Sequence, residues 1–390
     1  MDAHPIDGEP CSAGVNTYAG MMIVTDTHAM TDSGALPMQE AQETQRLAKR
    51  LLREGVVHHG NREFDAAVVA FTEARGCYER LNLPRHESKA LRGVVLCHYA
   101  LGNYPAVVEW AELWLGLARR HGDLSSQEQA LNHLGNAWRH LHDYRQSIKY
   151  QEESLAIAEQ LGNDGSQVAV LNNLGLAHKN LGSFDEAIAV QNRGLALVRK
   201  LKDAEAEQQV LKNLGNTYYA AGMYEEAIAT YESLLSKARA IDHDHLVGQV
   251  LRGLANAACH IGELDKAIHY CRQRLSVMRA LKDLRGEEQT LGSLGVAYDA
   301  EGNYAKAIEY YQQRLTVARL IPDLEVEAQT LQNLQVACLA MGDQKLATSY
   351  RHQRESLLGQ QGSEMDDELE STLGTTFGPT SHIDESPLAE

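Results

Sequence analysis

One block of this sequence recurs every 40 residues, and no other feature limits the possible folds as strongly. The block is clearest at Leu134-Gly135-Asn136, and its counterparts stand at 174–176, 214–216, 254–256, 294–296 and 334–336. Glycine recurs at the same interval, at 102, 182, 222, 262, 302 and 342, and an aromatic residue recurs at 64, 104, 144, 184, 224 and 304. This register predicts eight consecutive units without insertion, and therefore a solenoid in which each unit packs only on its neighbours.

Each unit has the pattern of two amphipathic helices, which we call helix A and helix B. In the fifth unit Leu211, Leu214 and Tyr218 recur at helical spacing. Gly222 then ends helix A, because glycine adopts positive φ without strain. The glycine that recurs in the middle of helix A predicts close contact with helix B. We therefore predict an all-α protein, an α-solenoid of about eight helix-turn-helix units over residues 46–358.

The net charge of −17 is concentrated at the two ends of the chain. Residues 1–40 contain six acidic residues, residues 361–390 contain eight, and neither segment contains a lysine or an arginine. The segment between them, residues 41–360, carries a net charge of only −3. Both ends also lack the repeat, and polar, charged segments bury too little apolar surface to fold. We predict that both are disordered acidic tails.

Several classes of protein are not favoured by the composition. The six cysteines form no C-x-x-C pair and lie mostly within helical pattern, which indicates reduced thiols and a cytoplasmic protein. No apolar run approaches the roughly 18 residues of a membrane span. His58-His59 and the Asp-His run at 242–245 match no established metal-ligand spacing, so we expect no metal and no cofactor. Catalytic and phosphate-loop motifs are also missing, and the acidic chain makes a nucleic-acid partner a weak alternative.

The repeat elements resemble the tetratricopeptide repeat (TPR), and the residues that carry the resemblance best are Leu214, Gly215, Tyr218, Gly222, Tyr224 and Ala227. The usual unit has about 34 residues, and the longer unit of 40 resembles the Leu-Gly-Asn subgroup, the LGN or Pins-like scaffolds. This resemblance implies a right-handed superhelix. It also implies an inner groove, lined by helix A, that holds extended and often acidic peptides. Scaffolds of that subgroup also bind Gα subunits through paired phenylalanines and an arginine. Residues 361–390 contain only Phe377 and no arginine, so we do not expect that activity.

A second stripe of helix A, which we call the groove stripe, lies opposite the residues that face the packed layer. In the third unit it contains Gln129, Asn132, Asn136 and Arg139. The equivalent positions of all units contain Asp299 as the one acidic residue, against seven cations: Lys49, Lys89, Arg92, Arg139, Lys179, Lys212 and Arg252. We predict that the stripe faces the concave surface and that the peptide is bound by Lys89, Arg92, Gln129, Asn132, Asn136, Arg139, Asn172, Lys179, Lys212, Asn216, Tyr219, Arg252 and Asn256.

The asparagines and the cations of the stripe each have a second interpretation. Asparagine forms helices poorly, and its amide both donates and accepts, so a ladder of asparagines is suited to hold a peptide backbone. The alternative is that these amides bond to neighbouring helices of the solenoid. In the same way, the lysines and arginines either select an acidic ligand or only solvate an exposed helix face.

These observations together predict a non-catalytic scaffold or adaptor that binds an extended, acidic peptide segment of a partner protein. The alternative is a peptide-responsive regulator that controls a bound enzyme or transcription factor. The segment Glu364–Glu370 is acidic and tethered just beyond the last unit, so its local concentration near the groove is high. It either competes with the partner for the groove through an intramolecular contact or only keeps the chain soluble.

Overall fold

The structure is a computed structural model that describes the backbone of residues 37–321 and 323–374, and the side chains as far as residue 359. These residues form sixteen α-helices and no strand. The odd-numbered helices are the predicted A helices, and the even-numbered ones are the B helices. Their bounds are α1 Met38–Gly60, α2 Phe64–Arg80, α3 Pro84–Ala100, α4 Tyr104–Arg120, α5 Leu124–His140, α6 Tyr144–Gln160, α7 Asp164–Leu181, α8 Phe184–Leu201, α9 Ala204–Ala220, α10 Tyr224–Ala240, α11 Asp244–His260, α12 Leu264–Leu281, α13 Leu284–Ala300, α14 Tyr304–Ala318, α15 Leu324–Ala340 and α16 Gln344–Gly374.

The chain turns at a regular interval of 20 residues, half the sequence repeat. Fourteen of the turns contain one residue with positive φ, and these residues are Arg62, Asn82, Gly102, Gly122, His142, Gly162, Gly182, Lys202, Gly222, Asp242, Gly262, Lys282, Gly302 and Gly342. At the first glycine turn the Asn103 N–H donates to the His98 carbonyl at 2.9 Å, which closes the end of α3. The recurring glycine predicts the turn inside each unit. The equally regular turn between units, where other residue types often adopt the left-handed conformation, is a finding of the structure.

Within a unit, one residue of helix A packs against the residue of helix B that lies sixteen positions later in the sequence. A Cβ atom built on Gly215 would lie 2.5 Å from Cε1 of Tyr231, so only glycine lets the two helices approach this closely. The same arrangement joins Gly55 to Phe71, Gly135 to Gln151, Gly175 to Gln191 and Gly295 to Tyr311. Where helix A instead has Val95 or Ala255, helix B has the small Ala111 or Cys271. The predicted close contact is confirmed. In each pair, a smaller residue on one helix leaves room for a larger residue on the other.

The A helices form the inner layer of the stack. Besides its neighbours in sequence, α3 contacts α1 and α5, and further contacts join α5 to α7, α7 to α9, and α9 to α11. In the described part of the chain, no two B helices pack on each other as closely as these A helices do. In a curved stack, the layer whose members approach one another lies on the inside. The A helices therefore line the concave side, and the predicted all-α solenoid of eight helix pairs is confirmed.

The two ends of the solenoid differ from the predicted boundaries. Helix α1 begins at Met38, inside the segment predicted as the first tail, and α16 continues to Gly374. The backbone of residues 361–374 is thus helical, where the composition predicts a disordered tail. This stretch contains no proline, and it has three glutamates and two leucines, which are good helix formers. Residues 1–36 and 375–390 lie outside the described part of the chain, where the predicted tails stay predictions.

Candidate peptide-binding groove

The groove stripe lies on the inner layer, opposite the buried face of each A helix. In α5, Leu131 and Leu134 are almost fully buried against the neighbouring helices, and the stripe residues of the same helix are only half-buried. All thirteen predicted residues lie on α3, α5, α7, α9 or α11, and none of them is fully buried. Those that are most exposed are Lys89, Arg92, Asn216, Arg252 and Asn256. The solenoid therefore presents these residues on the side that a partner can reach.

The seven cations of the stripe have no ion-pair partner in the described part of the chain. Among the residues whose side chains are described, no carboxylate lies within 4.0 Å of any of them. Arginines of the B helices differ, because several bridge to the next unit. Arg119 lies 2.8 Å from Glu153, and Arg279 lies 2.6 Å from Glu287. The positive charge of the stripe is thus uncompensated, while much of the charge on the outer layer is neutralised within the fold.

The stripe cations of successive units also lie close enough to influence one another. Burial lowers the pKa of Lys179, and the neighbouring Arg139 lowers it further. Nη2 of Arg139 lies 3.1 Å from Nε2 of His140. Burial also lowers the pKa of His133 to about 4, and the charge of Arg92 adds to the effect. In both cases burial is the larger cause, and the nearby arginine makes a further positive charge still less favourable.

The asparagine ladder is partly used by the solenoid itself. Oδ1 of Asn132 accepts hydrogen bonds from Asn136 at 3.3 Å and from Asn173 of the next unit at 3.0 Å. Oδ1 of Asn172 accepts from Asn213, and Oδ1 of Asn216 accepts from the Tyr231 hydroxyl. The alternative interpretation, bonding to neighbouring helices, therefore holds for the amide oxygens of Asn132, Asn172 and Asn216. The amide N–H groups of Asn132, Asn172, Asn216 and Asn256 have no acceptor among the described residues, so the ladder offers donors to a ligand.

Three of the predicted residues converge on one recess of about 710 Å³, which we call the arginine recess. Tyr219, Arg252 and Asn256 line it, together with four equivalent stripe positions, Cys259, Gln289, Gly292 and Val296. The recess is thus formed by α9, α11 and α13, three consecutive A helices. The other predicted residues do not reach it. Lys212 lines a neighbouring concavity of about 800 Å³ that also contains Asp203 and Glu205.

Two residues of the arginine recess are not on the A helices. Arg274 of α12 and Arg314 of α14 extend from the outer layer between the A helices to reach it. The prediction missed both, because it confined the groove to helix A. A signal for them exists in the sequence, where arginine recurs at 274, 314 and 354 with the period of the repeat.

Two negative findings apply to the described residues only. None of their helices is both long and apolar enough to cross a membrane. In the same part of the chain, no three His, Cys, Asp or Glu side chains gather into a group that would hold a metal ion.

Comparisons with known proteins agree with this architecture. The tetratricopeptide repeat model matches four overlapping segments, 126–200, 166–240, 206–280 and 246–320, which together span half of the chain. No curated protein sequence matches at a significant level.

Several solved structures share the fold. A signal transduction ATPase with numerous domains from Pyrococcus horikoshii, which has a tetratricopeptide repeat sensor, aligns with a TM-score of 0.60 at 16% identity, over 86% of this chain and 55% of that one. The apo form of RapI aligns with a TM-score of 0.52 at 14% identity, over 70% and 97%. Aspartyl phosphate phosphatase F from Bacillus subtilis aligns with a TM-score of 0.50 at 14% identity, over 73% of each chain. At these identities the likeness concerns the fold alone. The family match and the sixteen stacked helices show that this chain belongs to the tetratricopeptide repeat family, and it is a protein-interaction scaffold.

Proposed function

We propose that the groove stripe binds an extended segment of a partner protein whose side chains are acidic. The observation that carries this proposal is that no carboxylate of the described side chains forms an ion pair with any of the seven stripe cations. Like charges on one surface repel each other and destabilise the fold. Their cost is offset when an acidic ligand binds, because charge-assisted hydrogen bonds are stronger than neutral ones.

The asparagines supply a second, complementary kind of contact. Their free amide N–H groups suit the backbone carbonyls and the carboxylates of an extended peptide, which are all acceptors. A hydrogen bond contributes about 0.5–1.5 kcal/mol net. Five or six such bonds, with the help of charge steering, approach the roughly 8 kcal/mol of a micromolar complex. Polar contacts along the stripe are therefore sufficient for a moderately tight complex without a deep apolar pocket.

A charge-reversal experiment tests the proposal with a matched control. One variant combines Arg92→Glu, Lys179→Glu and Arg252→Glu on the inner layer. The control combines Arg145→Glu, Lys149→Glu and Lys306→Glu at exposed positions of the B helices, and so has the same net charge. Both are screened, with the wild type, against a display library of twelve-residue peptides.

We expect the wild type and the control to enrich sequences rich in Asp and Glu, and the groove variant to lose this preference. Enrichment without acidic residues in the wild type, or an equal loss in both variants, contradicts the proposal. Circular dichroism establishes that both variants keep the helical content of the wild type.

The narrower predictions from the sequence belong to the same proposal. Membership of the LGN-like subgroup, the regulator alternative and the contact of residues 364–370 with the groove each need their own test. Residues 364–370 lie in α16 of the structure and would have to leave the helix to bind as an extended segment. If they compete with the partner, deletion of residues 362–390 raises the affinity for the selected peptide. An unchanged affinity excludes the competition.

A further inference from the structure

Arg274 is a buried cation without an anionic partner. Its residue is only 6% exposed, and its guanidinium donates to Oγ1 of Thr290 at 2.6 Å and to Oε1 of Gln289 at 3.4 Å. No carboxylate of the described side chains lies within 4.0 Å of it, and its buried Nε has no acceptor. A buried guanidinium in contact with neutral acceptors alone is unfavourable, because burial removes hydration that only an anion fully replaces.

The next unit shows what a compensated arginine looks like at the same position. Nε of Arg314, 40 residues later, lies 2.7 Å from Oε1 of Glu288, and the Glu288 side chain is 3% exposed. The residue equivalent to Glu288 one unit earlier is Gly248, which has no side chain to offer. Arg274 instead donates a hydrogen bond to Thr290 of the following A helix. The repeat thus places an arginine on the recess in two successive units and provides an acid for only one of them.

The surroundings of Arg274 strengthen its need for an anion. Burial lowers the pKa of Arg274, and the charge of Arg252 lowers it further, whereas Cys271 and Asp283 act in the opposite direction. Asp283 lies beyond ion-pair distance, and its carboxylate caps α13 by accepting from the Gly286 N–H at 2.9 Å. No acidic residue lines the arginine recess. The recess therefore contains two uncompensated guanidinium groups, one exposed and one buried, besides the neutral pair of Arg314 and Glu288.

We infer that the arginine recess binds a phosphoryl group, carried by a phosphorylated side chain of the partner segment. A phosphoryl group has a charge of about −2 near neutral pH, which matches two free guanidinium groups, whereas a single carboxylate matches one. The planar guanidinium forms paired hydrogen bonds with phosphate oxygens. The Ser293 hydroxyl, at the wall of the recess, donates to the Gln289 carbonyl at 3.0 Å and would have to rotate to donate to a phosphate oxygen. This inference rests on the proposed function in naming a partner segment, but the recess itself can be tested without one.

The first experiment uses inorganic phosphate alone and measures its dissociation constant by isothermal titration calorimetry at constant ionic strength. The variants are Arg274→Met, Arg252→Gln and, as the control, Arg145→Gln on the exposed face of α6. Methionine fills the space of the arginine stem without its charge, so we expect Arg274→Met to unfold at the same or a higher temperature than the wild type in chloride buffer. We expect each recess variant to bind phosphate about tenfold or more weakly, because a hydrogen bond to a charged group is lost. Equal affinities in the wild type and both recess variants overturn the inference.

The second experiment compares peptides, so that the inference and the proposed function can fail separately. A peptide selected from the library is made with phosphoserine, glutamate or serine at each position in turn. We expect one position where phosphoserine binds at least about fivefold tighter than glutamate, and where the advantage disappears in Arg274→Met. If glutamate equals phosphoserine at every position, the recess is not a phosphoryl site, although an acidic groove remains. If phosphate binds but no acidic peptide does, the proposed function fails and the recess remains.

Discussion

The contact between Gly215 and Tyr231 permits a quantitative test of how the units are joined. The Tyr231 ring is 4% exposed and lies between two glycines of successive A helices. A Cβ atom on Gly215 would lie 2.5 Å from its Cε1, and one on Gly253 would lie 2.9 Å from its Cε2. The hydroxyl donates to Oδ1 of Asn216 at 2.7 Å, which fixes the far end of the ring. The Tyr231 ring is therefore held on both faces and at its hydroxyl, and it cannot move away from a methyl group added at position 215.

Gly215→Ala should therefore destabilise the protein in spite of the better helix propensity of alanine. Alanine in a helix interior gains about 1 kcal/mol over glycine, whereas overpacking a rigid contact typically costs 1–3 kcal/mol. Because the ring is held on both sides, the cost should lie in the upper part of this range, about 2–3 kcal/mol. We therefore expect a net loss of about 1–2 kcal/mol in the free energy of unfolding, measured by urea denaturation followed by circular dichroism. Gly76→Ala in α2 is the matched control, because a Cβ there meets nothing within 4 Å. The control should gain about 1 kcal/mol.

The sixth unit supplies a second control, since it pairs Ala255 with the small Cys271. In a Tyr231→Cys background the space above position 215 is open, so Gly215→Ala should change sign and stabilise by about 1 kcal/mol. The two substitutions should thus be coupled by roughly 2 kcal/mol or more. Destabilisation of equal size in both backgrounds, or a wild-type stability for Gly215→Ala, would refute the idea that the ring and the glycine determine each other.

Three further predictions concern single residues. Burial, and then the charge of Arg92, lower the pKa of His133 from 6.5 to about 4, so its contribution to stability is present above pH 6.5 and is lost as the pH falls toward 4. At pH 5 this lowers the free energy of unfolding by about 2 kcal/mol. Urea denaturation at pH 5 and pH 7 should therefore show a smaller loss of unfolding free energy in His133→Gln than in the control His121→Gln. Ser88→Ala should cost about 1–3 kcal/mol, because Nε1 of the buried Trp114 donates to Oγ of Ser88 at 2.6 Å and would lose its acceptor; an unchanged unfolding midpoint would contradict this. Arg62 adopts a φ of 63°, so Arg62→Gly should raise the unfolding free energy by about 1 kcal/mol, and a decrease would show that the arginine side chain outweighs the backbone strain.

The fold was predictable because the repeat determines the secondary structure, the turns and the packed face at once. Gly222 shows this well: its position in the pattern predicts the end of helix A, and it adopts a φ of 75°. The turns between units were less visible, because Lys202 and Asp242 adopt positive φ there without the usual glycine. Sequence pattern detects a left-handed turn through glycine, and it loses the signal when the geometry of the stack imposes the turn on another residue.

The site was less predictable because its geometry depends on the arrangement of one unit against the next. The period shows that Asn132 and Asn172 occupy equivalent positions, but it does not show that Asn173 comes within 3.0 Å of Asn132. Arg274 was missed for a similar reason. It belongs to a B helix, and only the three-dimensional packing reveals that its guanidinium passes between A helices to the inner side.

The division of charge between the two layers follows from how closely the helices of each layer approach. B helices of successive units do not pack on each other as A helices do, so long side chains bridge them, as Arg119 and Glu153 do. On the inner side the A helices from α1 to α11 contact each other directly, and none of the seven stripe cations forms an ion pair with a described carboxylate. The cations of the groove stripe are therefore not needed to hold the stack together, and their mutual repulsion works against it. The ion pairs of the described side chains make no use of these cations, and this is the reason that we propose a ligand of the opposite charge for them.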